Sequence, residues 1–351
     1  MGKLLITCII LFIAASLSFH NLDHQPLERW DEQTNAQVVR ELVETHSFPY
    51  FTLNGQPFFE KPPLWYYLTG LITASAGTTP TTLRLVSAVS GFFLIILVYF
   101  LAGKWYRSVA AIASVLTLFL TNHLFTINSG GFFATHNMKT ADADALQMLL
   151  LMVSFFCFSP SSQITFYILG AVASALAVLT KGPLGVLPIG IWLVYIGINR
   201  QKNPINMTLI IVVIVSFLLT LLPWYILMIT TYGQPFIETH FYYHIVRRIG
   251  EPLEGHDYPI WYYLTVLSNP RIFALFPLSV ISLVSAMTHP QLRRDYHIFA
   301  PLLLAMSVLA IVTVMRTKLT WYILPFYPPV SLLVGRFVSQ LFKKYEKNSQ
   351  Y

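Results

Sequence analysis

LRLVSAVSGFFLIILVYFLA, residues Leu83–Ala102, is an apolar run long enough to cross a bilayer as a helix, a crossing that takes about 20 residues. Similar runs flank it. Leu4–Phe19 comes before it. Val109–Ile127, Leu146–Phe158, Ile164–Thr180, Pro183–Ile198, Thr208–Ile229, Trp261–Met287, Ile298–Met315 and Thr320–Leu341 follow. The pattern predicts an all-α polytopic membrane protein with about ten spans, the fourth short and the eighth broken at Asn269-Pro270. Composition agrees. Of 351 residues 55% are hydrophobic and 11% charged, against roughly 25% charged in a soluble domain. Disorder, a collagen-like fibre and a disulfide scaffold are excluded.

The flanking charges orient the chain. Lys104 and Arg107, Arg200 and Lys202, Arg293 and Arg294, and Lys343, Lys344 and Lys347 mark connections expected in the cytoplasm. Every acidic residue except Asp295 and Glu346 falls on the opposite side, which carries two long loops, 20–82 and 230–260. The first run has the look of a signal peptide, with Lys3 ahead of it and Ser16-Leu17-Ser18 behind. The net charge of +7 is largely this inside bias, so no nucleic-acid partner is expected. Cys8 and Cys157 sit inside apolar runs and suggest neither a disulfide nor a thiolate metal site. No repeat or second domain is visible; residues 1–351 read as one membrane domain.

Chemistry must therefore come from the external loops. Apolar positions 36, 39 and 43, with 38 and 42 beside them, predict a short helix lying in the membrane interface. Asp31 and Glu32 fall at its N-terminus, where the helix dipole favours negative charge. Asp31 is either a helix cap or a functional carboxylate. Arg40 and Glu44 are spaced as an i, i+4 surface pair. Asn54-Gly55 marks a turn, and Pro62-Pro63 can open a second interfacial helix. Glu60-Lys61 lies among aromatics: either a belt with a self-compensating ion pair, or a lysine held to meet a phosphate at the membrane surface.

Trp30-Asp31-Glu32, the helix with Arg40-Glu41, the Leu53-Asn54-Gly55 turn and Phe59-Glu60-Lys61-Pro62-Pro63-Leu64 together resemble the first external loop of the bacterial dolichyl-phosphate-mannose-protein mannosyltransferase-like family. That family lies within the C-type (GT-C) glycosyltransferases, a group that includes the aminoarabinose transferase of lipid A. Lys139-Thr140-Ala141-Asp142-Ala143-Asp144 resembles the family's second acidic motif, with either Asp142 or Asp144 as the matching carboxylate. Leu179-Thr180-Lys181-Gly182-Pro183 resembles its lysine-glycine-proline turn. Arg316-Thr317-Lys318-Leu319-Thr320-Trp321-Tyr322-Ile323-Leu324-Pro325 resembles its late Lys-Leu…Tyr…Leu-Pro segment. His240 to Arg248 and Trp261-Tyr262-Tyr263 are similar to its second loop. The resemblance runs from Trp30 to about Leu333, and the further spans and extramembrane domain of many relatives have no counterpart here.

The resemblance implies transfer of a sugar from a polyprenyl-phosphate donor to a lipid, glycan or protein acceptor, with inversion, at the external face of a bacterial inner membrane. Lys61, Lys181, Arg247, Arg248 and Lys318 become candidate phosphate ligands, Lys61 first. Asp31 becomes the candidate base or acceptor-orienting carboxylate, with Glu32, Asp142 and Asp144 beside it and Glu60 and Tyr322 shaping the site. For Lys181 or Lys318 alone, snorkelling to headgroups competes with this role, and for Arg247 and Arg248 so does headgroup anchoring. His240 and His244, at i and i+4, could share a metal, although no third ligand is evident. The implied chemistry needs no cofactor, because a phosphate is already a good leaving group for cationic side chains to stabilise; a divalent cation stays possible. The rival class is a transporter or flippase of lipid-linked sugars, which would place charges at the bilayer midplane and show inverted repeats.

Overall fold

The computed structural model describes residues 2–23, 25–126, 136–160, 163–201 and 206–348; Ile127 and Lys202, used above, lie outside them. Helices form where the apolar runs predict them. In chain order they are α1 (Gly2–Phe19), α2 (Asp31–Glu44), α3 (Leu64–Ala76), α4 (Pro80–Tyr106), α5 (Ser108–Phe119), α6 (Asp144–Cys157), α7 (Ile164–Lys181), α8 (Leu187–Ile198) and α9 (Met207–Tyr232). Then come α10 (Gln234–Phe236), α11 (Arg248–Gly250), α12 (Tyr262–Ser268), α13 (Phe276–Met287), α14 (Tyr296–Val314) and α15 (Tyr327–Asn348). Helices α4, α7, α9 and α14 are long and apolar enough to cross a bilayer, and five shorter apolar helices accompany them. The break expected at Asn269-Pro270 separates α12 from α13. Proline lacks the N–H that would continue the helix and disfavours helical backbone in the residue before it; Asn269 is accordingly extended, at φ −72° and ψ 113°.

The central packing runs through α4, α5, α6, α7 and α15. Helix α5 lies against α15, α6 against α7, and α7 against α9. Helix α9 turns Ile211, Leu219 and Ile226 outward, as expected for a lipid-facing helix, since such side chains have no reason to turn inward in hydrocarbon.

A second apolar cluster forms under the first loop. Ala36, Val38, Val39 and Leu42 of α2 pack with Phe51, Phe58, Trp65, Tyr66, Leu83 and Ala141. The predicted stripe of α2 is thus buried at 36, 38, 39 and 42 and half-buried at Val43. Asn54-Gly55, with φ of 52° and 74°, closes a small hairpin between β1 (Thr52–Leu53) and β2 (Gln56–Pro57), the two positive angles that a tight two-residue turn requires. Glu41 locks it to α2, accepting from Thr52 Oγ1 at 2.6 Å and from the Asn54 amide at 2.7 Å. Arg40 reaches Gln37 at 3.3 Å rather than Glu44.

Close backbone approach fixes one further contact. A methyl group at Gly91 of α4 would stand 2.8 Å from the Cβ and sulfur of Met138, so only glycine lets the segment before α6 lie flat on this helix.

Candidate active site

Asp31 is the first residue of α2. Trp30 precedes it as N-cap, at φ 73°, without a side-chain capping bond. The Asp31 carboxylate does not cap its helix; it reaches across the loop. Oδ1 accepts from Lys61 Nζ at 2.6 Å, and Oδ2 lies 3.1 Å from His136 Nε2. Burial alone would lift this carboxyl, but Lys61 and His136 outweigh it and hold it well below the usual carboxylate range. Burial likewise opposes the Lys61 ammonium, and Asp31 more than compensates, pushing its proton affinity above that of a free lysine. Lys61 therefore pairs with Asp31, not with its neighbour Glu60.

Asn35, one turn along α2, aligns this pair. Its side-chain oxygen accepts from Tyr66 OH at 2.6 Å and Lys61 Nζ at 3.3 Å, while its amide donates to Ala141 O at 2.8 Å. Sequence reasoning gave Asn35 no role, because a lone asparagine on a polar face carries no signal of its own.

His136 continues the chain of charges. Its Nδ1 lies 2.6 Å from Asp144 Oδ2, and its ring stacks on Trp321 with centroids 4.1 Å apart and planes 10° from parallel. Asp144 opens α6 and Lys181 closes α7, where the helix dipoles favour those charges. The antiparallel packing of these helices puts the Lys181 ammonium against both Asp144 oxygens. Of the two aspartates, Asp144 faces the cluster. Asp142 closes the preceding turn, accepting from Thr140 Oγ1 and from the His136 amide at 2.8 Å. Burial and Asp144's charge lift the Asp142 carboxyl above its ordinary range, against the pull of His136.

Glu32 follows Asp31 and points the opposite way. It is wholly buried against Arg84 of α4, accepting from Arg84 Nε at 2.9 Å and Nη2 at 2.7 Å. The same carboxylate accepts from the amides of Ala141 at 2.6 Å and Glu28 at 2.8 Å. Arg84 spends its other N–H groups on the carbonyls of Leu22, Gln25 and Pro26, so all five donors of the guanidinium are used. Arg84 escaped sequence reasoning because one charge is averaged away in a long apolar run.

The second loop supplies the other flank. A π-helical stretch, Ile237–Arg247, joins α10 to α11; such stretches are rare and frequent at functional sites. Arg248 turns inward, donating to Tyr322 OH at 3.1 Å and Glu254 Oε1 at 2.9 Å. Arg247 turns outward to Glu251, 2.7 Å away, over the Tyr243 ring. Glu60 stays at the surface, close enough to feel the charges of Lys61, Asp31 and Arg248. Lys318 does not join the acidic cluster; its ammonium binds the carbonyl of Met315. Its segment is zipped to the second loop instead, through Thr317 N to Arg248 O at 3.1 Å and Lys318 N to His256 O at 3.2 Å.

For a metal, His136, Asp142 and Asp144 offer ligand atoms within 4.8 Å of one another. Lys181 and the His136 ring already engage Asp144, so a dication would have to displace a cation in place. Of the pair His240 and His244, His240 has Phe59 O at 2.8 Å on Nδ1 and Tyr225 OH at 3.3 Å on Nε2, which leaves neither nitrogen for a metal. It fixes the backbone just ahead of Glu60-Lys61. His244, among Arg248, His240 and Lys61, is pushed down to about 3 by burial and by those charges, and is neutral at physiological pH.

Residues 60–226 match the dolichyl-phosphate-mannose-protein mannosyltransferase family. An uncharacterized protein of Aquifex aeolicus (strain VF5) is 30% identical over 319 residues, covering 90% of this chain and 69% of its own length. The undecaprenyl phosphate-alpha-4-amino-4-deoxy-L-arabinose arabinosyl transferase of Shewanella sediminis is 27% identical over 330 residues, 90% of this chain and 57% of that protein. Among solved structures, ArnT from Cupriavidus metallidurans bound to undecaprenyl phosphate superposes with a TM-score of 0.78 at 22% identity, over 94% of this chain and 59% of that one. The Archaeoglobus fulgidus oligosaccharyltransferase superposes at 0.62 with 14% identity, over 96% and 49%. These superpositions establish the fold. The chain spans a little over half the length of the aminoarabinose transferases it matches.

Proposed function

Because the chain belongs to the dolichyl-phosphate-mannose-protein mannosyltransferase family of membrane glycosyltransferases, we propose that it moves a sugar from a polyprenyl-phosphate carrier to a lipid, glycan or protein acceptor. The observation that carries this reading is the Asp31 carboxylate: ionised, 31% exposed, and bound by Lys61 on one oxygen, with the His136 ring 3.1 Å from the other. An ionised carboxylate that still meets solvent, beside a lysine that meets solvent too, is what transfer from a phosphate requires.

In the reaction, the bond from the anomeric carbon to the acceptor oxygen forms as the bond to the carrier phosphate breaks. The electron pair leaves with the phosphate. Lys61 and Arg248, with the Tyr322 hydroxyl, receive its growing charge, and preorganised cations of this kind act most strongly where water is sparse. Lys181 holds Asp144 and adds to the positive field. A hydroxyl acceptor gives its proton to Asp31; a phosphate acceptor is already ionised, and Asp31 orients it. Attack from the face opposite the phosphate inverts the anomeric carbon. Glu32 positions Asp31 from behind, and Asp142 shapes the turn that carries His136. Arg247 anchors headgroups, and Lys318 braces the second loop. The aminoarabinose transferases and the undecaprenyl phosphate bound to ArnT support a polyprenyl-phosphate donor.

The chain is one membrane domain of about ten spans with α2 and α3 in the interface, and the site faces the periplasm of a bacterial inner membrane. Charges gathered at one end, rather than at midplane, favour a transferase over a flippase. Mass spectrometry of envelope lipids, glycans and proteins from a deletion strain tests the function. The expected result is loss of one sugar increment from one acceptor. An unchanged envelope, with lipid movement by the purified protein in liposomes, would replace the transferase with the flippase.

A further inference from the structure

We propose that Glu254 is a positioning residue that competes with the carrier phosphate for Arg248: it aims the guanidinium before the donor arrives, yields it to the phosphate and takes it back as the spent carrier leaves. This rests on the transferase reading above and extends it to product release, through a residue that neither the motifs nor the relatives single out.

Arg248 has donors left over. Its side chain is 14% exposed, and it bonds to Tyr322 OH through Nη1 at 3.1 Å and to Glu254 Oε1 through Nη2 at 2.9 Å. A guanidinium has five N–H groups, so three have no partner among the described residues, whereas Arg84 uses all five. A desolvated cation that stops at two bonds keeps an edge for an incoming oxygen. Of its two partners only Glu254 is a carboxylate, and it is loosely held. Its side chain is 47% exposed, and its second oxygen accepts no hydrogen bond among the described residues.

The backbone keeps this competitor on a short tether. Glu254 sits at φ 56° and ψ 26°, a left-handed conformation that suits glycine or asparagine and strains a glutamate. Such strain persists only where the surroundings impose it. Here Leu253 N donates to Thr317 Oγ1 at 3.0 Å, and that hydroxyl donates to Glu251 O at 2.7 Å. On either side, Arg248 O accepts from Thr317 N and His256 O from Lys318 N. Thr317 is wholly buried. Both members of the ion pair therefore hang from one fixed strip, and a carboxylate pushed off Arg248 stays within reach of it. A tethered ligand of this kind acts at a high effective concentration.

Charge explains why a competitor is useful. The donor is a phosphodiester with one ionised oxygen. When the sugar departs, the carrier keeps the bonding electron pair and becomes a phosphate monoester, whose second oxygen ionises at a pH of about 6. The cations that ease bond breaking therefore hold the product harder than the substrate, and product release limits kcat in many enzymes. By rebinding Arg248 as the phosphate lets go, Glu254 spares the arginine an unpaired state and speeds departure.

The test uses the full chain in detergent, titrated with undecaprenyl phosphate, the molecule bound to ArnT, with dissociation timed after a chase of excess ligand. Glu254→Gln keeps shape and reach and removes the charge. It should tighten binding about two- to five-fold, the worth of a partly exposed ion pair, and the gain should appear as slower dissociation. Glu254→Gly, which suits the left-handed backbone, should tighten binding to the same extent. Arg247 and Glu251 form a like pair facing outward, 2.7 Å apart. Glu251→Gln removes the same charge there and should leave affinity and dissociation unchanged.

A gain of affinity is a result that damage to the fold does not imitate. Unchanged or weaker binding in the Glu254 variants that fold as the parent does, an equal gain in Glu251→Gln, or a gain carried wholly by faster association would overturn the proposal. A parent protein that does not bind undecaprenyl phosphate would overturn it together with the polyprenyl-phosphate donor. The expected binding pattern in a protein whose deletion leaves the envelope unchanged would keep the exchange at Arg248 and remove the transferase.

Discussion

Asp31 and Glu32 are neighbours in the chain, each in an ion pair, and the two pairs do opposite things. Glu32 and Arg84 are both fully buried, with every guanidinium N–H matched. Asp31 and Lys61 keep 31% and 23% of their side-chain surfaces open. A buried pair must recover a desolvation cost of several kcal/mol per ion, and only saturated hydrogen bonding achieves that, so the Glu32 pair has nothing left to offer a ligand. The Asp31 pair is unsaturated. It keeps free lone pairs and a lysine that can change partner. One turn of backbone thus splits two like charges into a brace and a reactive group, and hydrogen-bond saturation tells them apart where charge does not.

Breaking each pair should separate these roles. The largest expected effect is on chemistry: Asp31→Asn should lower sugar transfer by roughly 10³-fold, within the range of a general base, while thermal unfolding in detergent moves little. Arg84→Met should do the reverse, leaving Glu32 buried and unpaired at a cost of about 3–5 kcal/mol, read as lost yield and a lower unfolding temperature. Adding Glu32→Leu to Arg84→Met should recover part of that stability; no recovery would mean that Arg84 acts only through the loop carbonyls.

Smaller effects sharpen the picture. Arg248→Lys should weaken lipid-phosphate binding about 10-fold, because a lysine cannot reproduce the guanidinium fork, as titration with the carrier phosphate would measure. Exposed Arg247→Ala should change transfer and stability by no more than about 0.5 kcal/mol. A large loss there would move the phosphate site outward to the surface pair.

Much of this was legible in the chain itself. Apolar runs located the helices because hydrocarbon leaves a backbone few alternatives. Asn54-Gly55 and Asn269-Pro270 punctuate the chain through local backbone preference, which needs no tertiary contact. The convergence of Asp31, Lys61, Asp144 and Lys181 followed from motif order, not from any pattern within one segment. What stayed hidden is what long-range contact creates. The partner of Glu32 is 52 positions away and that of Asn35 is 106. His136 acquires meaning only when Trp321 folds over it. The choice between Asp142 and Asp144 was invisible because both lie just ahead of the same apolar run; which one meets Lys181 depends on how α6 packs on α7.

Gly91 ties the lipid-embedded part of the molecule to its reactive end. Met138 rests directly on the bare backbone of α4, two residues beyond His136. The turn that carries the imidazole therefore lies against α4 with no room for a side chain between them, and a single added methyl group would force the two apart.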